Sequence, residues 1–133
     1  MTGYLLDTNA LLILSLRSSE ASRSTRIALT AGRRVVSQVC AIEIAIKSGL
    51  GKLALPPPFQ THFAHAFAQT VRELGAEILP ISLDHIDTLS HLPLHHRDPF
   101  DRLMISQALT EGLTVVTNDR AVAAYDGLNL LEV

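Results

Sequence analysis

Short apolar runs alternate with longer helical stretches along the chain, and this alternation is the feature that most constrains the fold. Runs typical of strands span residues 3–6, 34–37, 77–81 and 113–117, and a fifth candidate lies at 128–131. The alternation predicts an α/β fold, in which helices flank a central, mostly parallel sheet of four to five short strands. At 133 residues, we expect one domain spanning 1–133.

The helical stretches between these runs end at recognisable stop signals. One ends near Gly32, Gly75 and Gly112 follow two others, and the three prolines at 56–58 form a rigid break. The predicted helices span residues 8–16, 18–32, 38–48, 59–74, 83–92 and 99–111.

The composition indicates a reducing compartment. The single cysteine, Cys40, excludes an intramolecular disulfide, and its apolar flanks predict a small core residue. No apolar run is long enough to cross a membrane, and the N-terminus lacks the basic region of a signal peptide. We therefore expect a cytoplasmic protein.

The net charge of −2 does not suggest a general nucleic-acid binder. With four of the 13 acids set aside in one site, nine remain against 11 lysines and arginines. The surface outside such a site would be mildly basic, which is compatible with a phosphate-bearing partner.

Aspartates follow two of the predicted strands. Asp7 comes directly after the first run, and Asp119 lies two residues beyond the fourth. Because parallel strands deliver their carboxyl ends to one edge of the sheet, both acids are expected at that edge. Each could instead cap the helical stretch that follows it, but two together favour a site.

Glu43 lies within an apolar helical stretch. It could form an exposed pair with Lys47 one turn later, which would stabilise the helix only slightly. Apolar residues on both sides favour burial instead, and a buried carboxylate needs a partner or a metal ion.

Two aspartates three residues apart open the predicted helix 99–111. Asp98 followed by Pro99 is typical of an N-cap and the first helical residue. Asp101 then lies in the first turn, where it would also complement the helix dipole. Since Asp101 shares a helix face with Ile105 and Ala108, we expect its carboxylate to point inward.

Carboxylates that converge without counter-charge repel one another, and a divalent cation removes this conflict. Oxygen ligands favour Mg²⁺ or Mn²⁺, either of which activates a water for in-line attack on phosphorus. The candidate metal ligands and catalytic residues are Asp7, Glu43, Asp101 and Asp119.

The chain resembles the PIN-domain ribonucleases, and among them the VapC-type toxins of bacterial toxin–antitoxin pairs. Four segments in order carry the resemblance: "YLLDTNALL", "SQVCAIEIAIKSGLGKL", "HHRDPFDRLMISQA" and "TVVTND". It implies a PIN-like fold and Mg²⁺- or Mn²⁺-dependent cleavage of single-stranded or looped RNA. It also implies a homodimer and inhibition by a small VapB-type antitoxin.

The resemblance places the family's acids at the same four residues. It adds polar support from Thr8, Asn9, Thr117 and Asn118, and leaves open whether Asp98 joins the site. The apolar fraction of 47%, together with the family's antitoxin binding, predicts a partner groove near residues 42–55 and 59–67.

Several other features have weaker functional interpretations. Two arginines flank the acids and could bind RNA phosphate or serve only structural roles: Arg97 and Arg102. A histidine pair on one helix could bind a metal but is assigned to a surface or partner face, and three more could touch substrate but are assigned to a solvated loop: His62 and His65, then His91, His95 and His96. Three phenylalanines at helical spacing are assigned to the core: Phe59, Phe63 and Phe67.

Two other functions remain open from the residues alone. A haloacid-dehalogenase-type phosphatase would use Asp7 as an aspartyl nucleophile, but that family usually has a second aspartate where this chain has Asn9. A non-catalytic module with a metal-stabilised acidic pocket is the other alternative.

Overall fold

A five-stranded, wholly parallel sheet forms the centre of the computed structural model, which describes residues 2–133. The strands are β1 (Gly3–Leu6), β2 (Arg33–Ser37), β3 (Glu77–Leu79), β4 (Thr114–Thr117) and β5 (Asn129–Glu132). Their order across the sheet is β3-β2-β1-β4-β5. The predicted α/β fold is confirmed, and the fifth candidate segment does form a strand.

Helices flank this sheet. Across residues 2–133 the α-helices are α1 (Thr8–Leu16), α2 (Arg23–Thr30), α3 (Gln38–Gly49), α4 (Pro58–Thr61), α5 (Phe63–Glu73), α6 (Leu83–Ser90) and α7 (Pro99–Glu111). Short 3₁₀ segments lie at Ser18–Glu20 and Arg120–Ala124. Within the same residues, no helix is both long and apolar enough to cross a membrane.

Two predicted helices, 18–32 and 59–74, are each divided in the structure. The first breaks at Ser22, whose extended backbone leaves the helical path and whose Oγ accepts the Thr25 N–H at 3.1 Å. The second breaks at His62, whose φ of −139° lies outside the helical range. The single-helix predictions were wrong because a local cap and a non-helical dihedral override the periodicity.

The strand order reverses between β1 and β4. From β1 the chain builds β2 and β3 on one side, then returns to place β4 and β5 on the other. The chain stays bonded to β4 just past the end of β1, because the Asp7 N–H donates to the Val116 carbonyl at 3.1 Å. A crevice at the carboxyl ends of β1 and β4 follows from this topology.

The core lies around the three central strands. Leu5, Leu6, Val35 and Val36 are fully buried, as their apolar pattern predicts. Cys40 is also fully buried, which confirms it as a core residue, and burial raises the pKa of its thiol to about 12. This rigid centre fixes the strand ends that carry the acids.

Candidate functional site

An open cleft of about 380 Å³ lies at the carboxyl edge of the sheet. All four predicted acids line it, together with Asp98 and three of the four predicted supporting residues. These are Asp7, Glu43, Asp101 and Asp119, and then Thr8, Asn9 and Asn118. The structure therefore brings together side chains from β1–α1, α3, α7 and the end of β4.

Asp7 both caps a helix and faces the cleft. Its Oδ1 accepts the Ala10 N–H at 2.8 Å, so it is the N-cap of α1. Burial raises the pKa of Asp7 most strongly, and the charges of Glu43 and Asp119 raise it further against an opposing hydrogen bond from Thr117. Asp7 therefore caps α1 and lines the cleft at the same time.

Glu43 is buried and fully partnered. Only 4% of it is exposed, and Thr8 Oγ1 donates to its Oε1 at 2.6 Å. Lys47 pairs with the other carboxylate oxygen, and this pairing is the main reason that the pKa of Lys47 is raised. The predicted Glu43–Lys47 pair therefore exists, but it lies on the cleft rather than on an open helix face.

The two aspartates that open α7 have different roles. Asp98 Oδ1 accepts the Phe100 and Asp101 N–H groups at 2.8 and 3.3 Å, which makes Asp98 the N-cap. Burial raises the pKa of Asp101 to about 7, helped by the charge of Asp98 and opposed by His96. Asp98 still lines the cleft beside Asp101, so its carboxylate adds negative charge to the site.

His96 is not a solvated loop residue, and that prediction was wrong. Its Nε2 lies 2.8 Å from Asp119 Oδ2 and 3.3 Å from Asp101 Oδ2. The hydrogen bond to Asp119 is the main reason that the pKa of His96 is raised and that of Asp119 is lowered. The only sequence signal was a histidine two residues before the cap Asp98.

The loop before α7 is folded back onto the helix, which explains the error. The Tyr125 hydroxyl accepts the N–H groups of His95 and His96 at 3.2 and 2.9 Å. Arg102 donates to the carbonyls of Pro93 and Leu92 at 2.9 and 3.2 Å. These contacts, remote in sequence, carry His96 into the cleft.

Arg102 is consequently committed to bracing this loop. Its side chain donates to loop carbonyls and does not pair with Asp98, which gives it a structural role, while its contact with RNA phosphate stays a prediction. Arg97 remains exposed, and no hydrogen bond or ion pair of its side chain is found within residues 2–133. Prediction missed the cations that do line the cleft, Lys47 and Lys52, which are the only lysines of the chain.

The supporting polar residues link the strand ends. Asn9 Nδ2 donates to Asn118 Oδ1 at 2.8 Å, which joins the start of α1 to the end of β4. Thr117 Oγ1 accepts the Asp119 N–H at 3.0 Å and so shapes the turn that presents Asp119. The Asn9–Asn118 bond therefore holds the two strand ends together, and the Thr117–Asp119 bond orients the acid on one of them.

One cluster in this cleft has the spacing of a metal site. His96, Asp101 and Asp119 each offer an atom, and these atoms all lie within 4.8 Å of one another. Asp7 and Glu43 add carboxylate oxygens to the same cleft. Such a donor set, rich in carboxylates, suits a hard divalent cation better than zinc.

The solved structures of similar fold include complexes from toxin–antitoxin systems. A chain of VapBC2 from Rickettsia felis, bound to a DNA fragment from their promoter, superposes with a TM-score of 0.70 at 16% identity, covering 98% of each chain. DNA-bound VapBC from Salmonella typhimurium gives 0.70 at 19% identity, covering 99% of this chain and 98% of that one. VapBC-5 from Mycobacterium tuberculosis gives 0.56 at 19% identity, covering 100% and 98%. At these identities the likeness shows the fold.

The sequence comparisons identify the family. No curated protein matches the chain in sequence. The family model of the PIN domain matches residues 4–128, nearly the whole chain. The match and the fold agree with the resemblance carried by the four motifs, and the chain belongs to the PIN domain family.

Proposed function

We propose that this protein is a divalent-metal-dependent endoribonuclease of the VapC toxin type, held in check by a small antitoxin. The observation that carries the proposal is the convergence of four carboxylates, from Asp7, Glu43, Asp101 and Asp119, in one open cleft at the switch point of the sheet. PIN-family membership argues against the alternative of a haloacid-dehalogenase-type phosphatase.

The residues present fit a divalent metal ion. Asp7 and Asp101 both have raised pKa values, because they are buried close to other carboxylates. This uncompensated acidity is what a bound cation relieves. Asp7, Asp101 and Asp119 would hold Mg²⁺ or Mn²⁺, with Glu43 beside them. When bound, such an ion lowers the pKa of a water and offsets the charge of a phosphodiester.

The chain's own groups would position the substrate around that centre. Glu43 is fixed by Thr8 and Lys47, so its carboxylate keeps a constant place on the cleft wall. The Asn118 side chain accepts from Asn9 and keeps its own amide N–H groups for a phosphate or ribose oxygen. Water held among the carboxylates would then attack phosphorus in line with the leaving oxygen.

RNA is the proposed substrate because of the cations and the shape of the cleft. Both lysines of the chain, Lys47 and Lys52, line an otherwise acidic surface. Phosphate groups on either side of the scissile bond are natural partners for such cations. The cleft is open, so it would admit a strand or loop rather than enclose a small molecule.

The proposed partners use apolar surfaces away from the acids. Ile42 and Ile46 on α3, with Leu50 directly after it, form a stripe at four-residue spacing and are 44%, 46% and 64% exposed. We assign this stripe to a homodimer contact, since such a patch on a small domain favours association.

The antitoxin is assigned to a separate groove. This groove lies between the end of α1 and the α4–α5 pair and is lined by Leu16, Pro56 and Phe59, among others. Part of the predicted partner surface at residues 59–67 lines this groove, including Phe59, whereas Phe67 is only 4% exposed and stacks on Phe63. The structural relatives are complexes of VapBC pairs, which supports an antitoxin partner.

The test is metal-dependent RNA cleavage by the purified protein. Several single-stranded and looped RNAs are incubated with Mg²⁺, with Mn²⁺, or with EDTA, and products are resolved by gel. We expect cleavage with either ion, none in EDTA, and recovery when excess Mn²⁺ is returned. Full cleavage in EDTA would contradict the metal mechanism, and no cleavage of any RNA would favour a non-catalytic binding module.

A further inference from the structure

The two ring nitrogens of His96 face different kinds of partner. Nδ1 lies 3.1 Å from the backbone N–H of Asp98, which donates to it. Nε2 lies 2.8 Å from Asp119 Oδ2 and 3.3 Å from Asp101 Oδ2. The side chain is only 14% exposed, so these contacts are shielded from water.

The partner of Nδ1 fixes where the ring proton resides. A backbone amide can only donate, so Nδ1 must present its lone pair to Asp98. In this tautomer the proton is on Nε2, which therefore donates to Asp119 Oδ2, while Asp101 Oδ2 lies 3.3 Å from the same nitrogen. A metal ion on Nε2 would need the proton on Nδ1. Two N–H donors, from Nδ1 and from Asp98, would then face each other with no acceptor between them. The hydrogen-bond geometry thus argues against His96 as a metal ligand, although it contacts the acids that would bind the metal.

Holding the loop does not require the His96 ring. The hydroxyl of Tyr125 accepts the backbone N–H groups of His95 and His96, and Arg102 binds the carbonyls of Leu92 and Pro93. The ring adds one contact to this loop, the Asp98 N–H bonded to Nδ1, and its Nε2–H is directed at the site.

Two donors hold the carboxylate of Asp119, one at each oxygen. Ala121 N–H donates to Oδ1 at 3.0 Å, and His96 Nε2 lies at hydrogen-bond distance from Oδ2. Asp101, in the first turn of α7, has its Oδ2 3.3 Å from the same nitrogen. His96 Nε2 thus lies between two acids that belong to α7 and to the segment after β4, bonded to Asp119 and close to Asp101.

We propose that His96 is a positioning residue: its Nε2–H sets the separation and orientation of the Asp101 and Asp119 carboxylates for a divalent cation, and it is not itself a ligand. This inference rests on the proposed function, because it assigns the acids to a metal site. Groups that orient metal-binding side chains typically change metal affinity by about 10- to 100-fold when they are removed.

The first test reads the tautomer directly by NMR. Protein labelled with ¹⁵N-histidine is observed without metal and then saturated with Mg²⁺, and His96→Gln identifies the His96 signals among the six histidines. We expect a proton on Nε2, none on Nδ1, and no change of tautomer with Mg²⁺. A proton on Nδ1, or loss of the Nε2 proton when Mg²⁺ binds, would overturn the proposal.

The second test measures Mn²⁺ affinity by calorimetry, with melting curves as a folding check. His96→Ala should weaken Mn²⁺ binding by about 10- to 100-fold. His96→Gln, whose amide N–H can reach the former Nε2 position, should recover most of that loss. His91→Gln, at an exposed histidine on the end of α6, serves as the matched control and should bind like the wild type.

Each outcome has a separate meaning. Wild-type affinity in a folded His96→Ala protein would refute the positioning role while leaving the proposed nuclease intact, as would a folded His96→Gln protein no better than His96→Ala. Failure of the wild type to bind Mn²⁺ or cut RNA would instead refute the proposed function, and the positioning role with it.

Discussion

Replacing Asp101 by asparagine should stabilise the metal-free protein, and by more at alkaline than at acidic pH. In the folded protein the pKa of Asp101 is about 7, against an ordinary value of 3.8. An acid whose pKa rises on folding opposes folding once it is ionised. The loss in the free energy of unfolding is absent below the pKa that Asp101 has in the unfolded chain. It grows between about pH 4 and pH 7 and is constant above pH 7.

The size of this effect follows from the shift. A rise from 3.8 to about 7 corresponds to at most about 4 kcal/mol in the free energy of unfolding. The Asp101 side chain is 26% exposed, so solvent screening reduces this, and we expect about 2 kcal/mol. For a chain of 133 residues, that is a rise in Tm of about 7 °C.

The assay is thermal unfolding in EDTA at pH 4.5 and pH 8, followed by circular dichroism. Asp101→Asn should melt well above the wild type at pH 8, and the gap should be much smaller at pH 4.5. Asp84→Asn is the control, since Asp84 is an exposed aspartate in the first turn of another helix. If the two proteins had the same Tm at pH 8, or if the difference in Tm were equal at the two pH values, the reasoning would be refuted.

Two further predictions use the cap and the cleft cations. Asp98→Ala should lower the free energy of unfolding by about 1 kcal/mol through loss of the α7 cap, whereas Asp98→Asn should cost less, as chemical denaturation would show. Lys52→Ala should reduce the salt dependence of binding to uncleaved RNA, lowering the slope of log K against log salt by about 0.7. Arg72→Ala, on an exposed part of α5, should leave that slope unchanged, and an equal effect of both variants would contradict a phosphate contact at Lys52.

The strand-end acids could be predicted from the sequence because the sheet topology does most of the positioning. Asp7 and Asp119 follow apolar runs, and parallel strands bring such residues to one edge whatever the details of the loops. Asp98 and Asp101 could be separated because the Asp-Pro cap and the apolar face of α7 are local signals.

His96 and the cleft lysines could not be found in this way. His96 reaches the acids because Tyr125 and Arg102 fold the loop back, and no spacing in the sequence encodes those contacts. The breaks at Ser22 and His62 were missed for a similar reason, since local capping and dihedral choice compete with helical periodicity.

The central claim is that the acids of this cleft form a metal-dependent nuclease centre in which Asp101 belongs to the metal site and Asp98 is mainly a cap. The most direct measurement compares Asp101→Asn and Asp98→Asn on one RNA with Mn²⁺, after melting curves have shown that both variants are folded. We predict that Asp101→Asn loses activity by orders of magnitude, because the metal ion or its water is misplaced, and that Asp98→Asn keeps most of it. An inactive Asp98→Asn beside an active Asp101→Asn would invert the assignment, and two fully active variants would contradict the central claim.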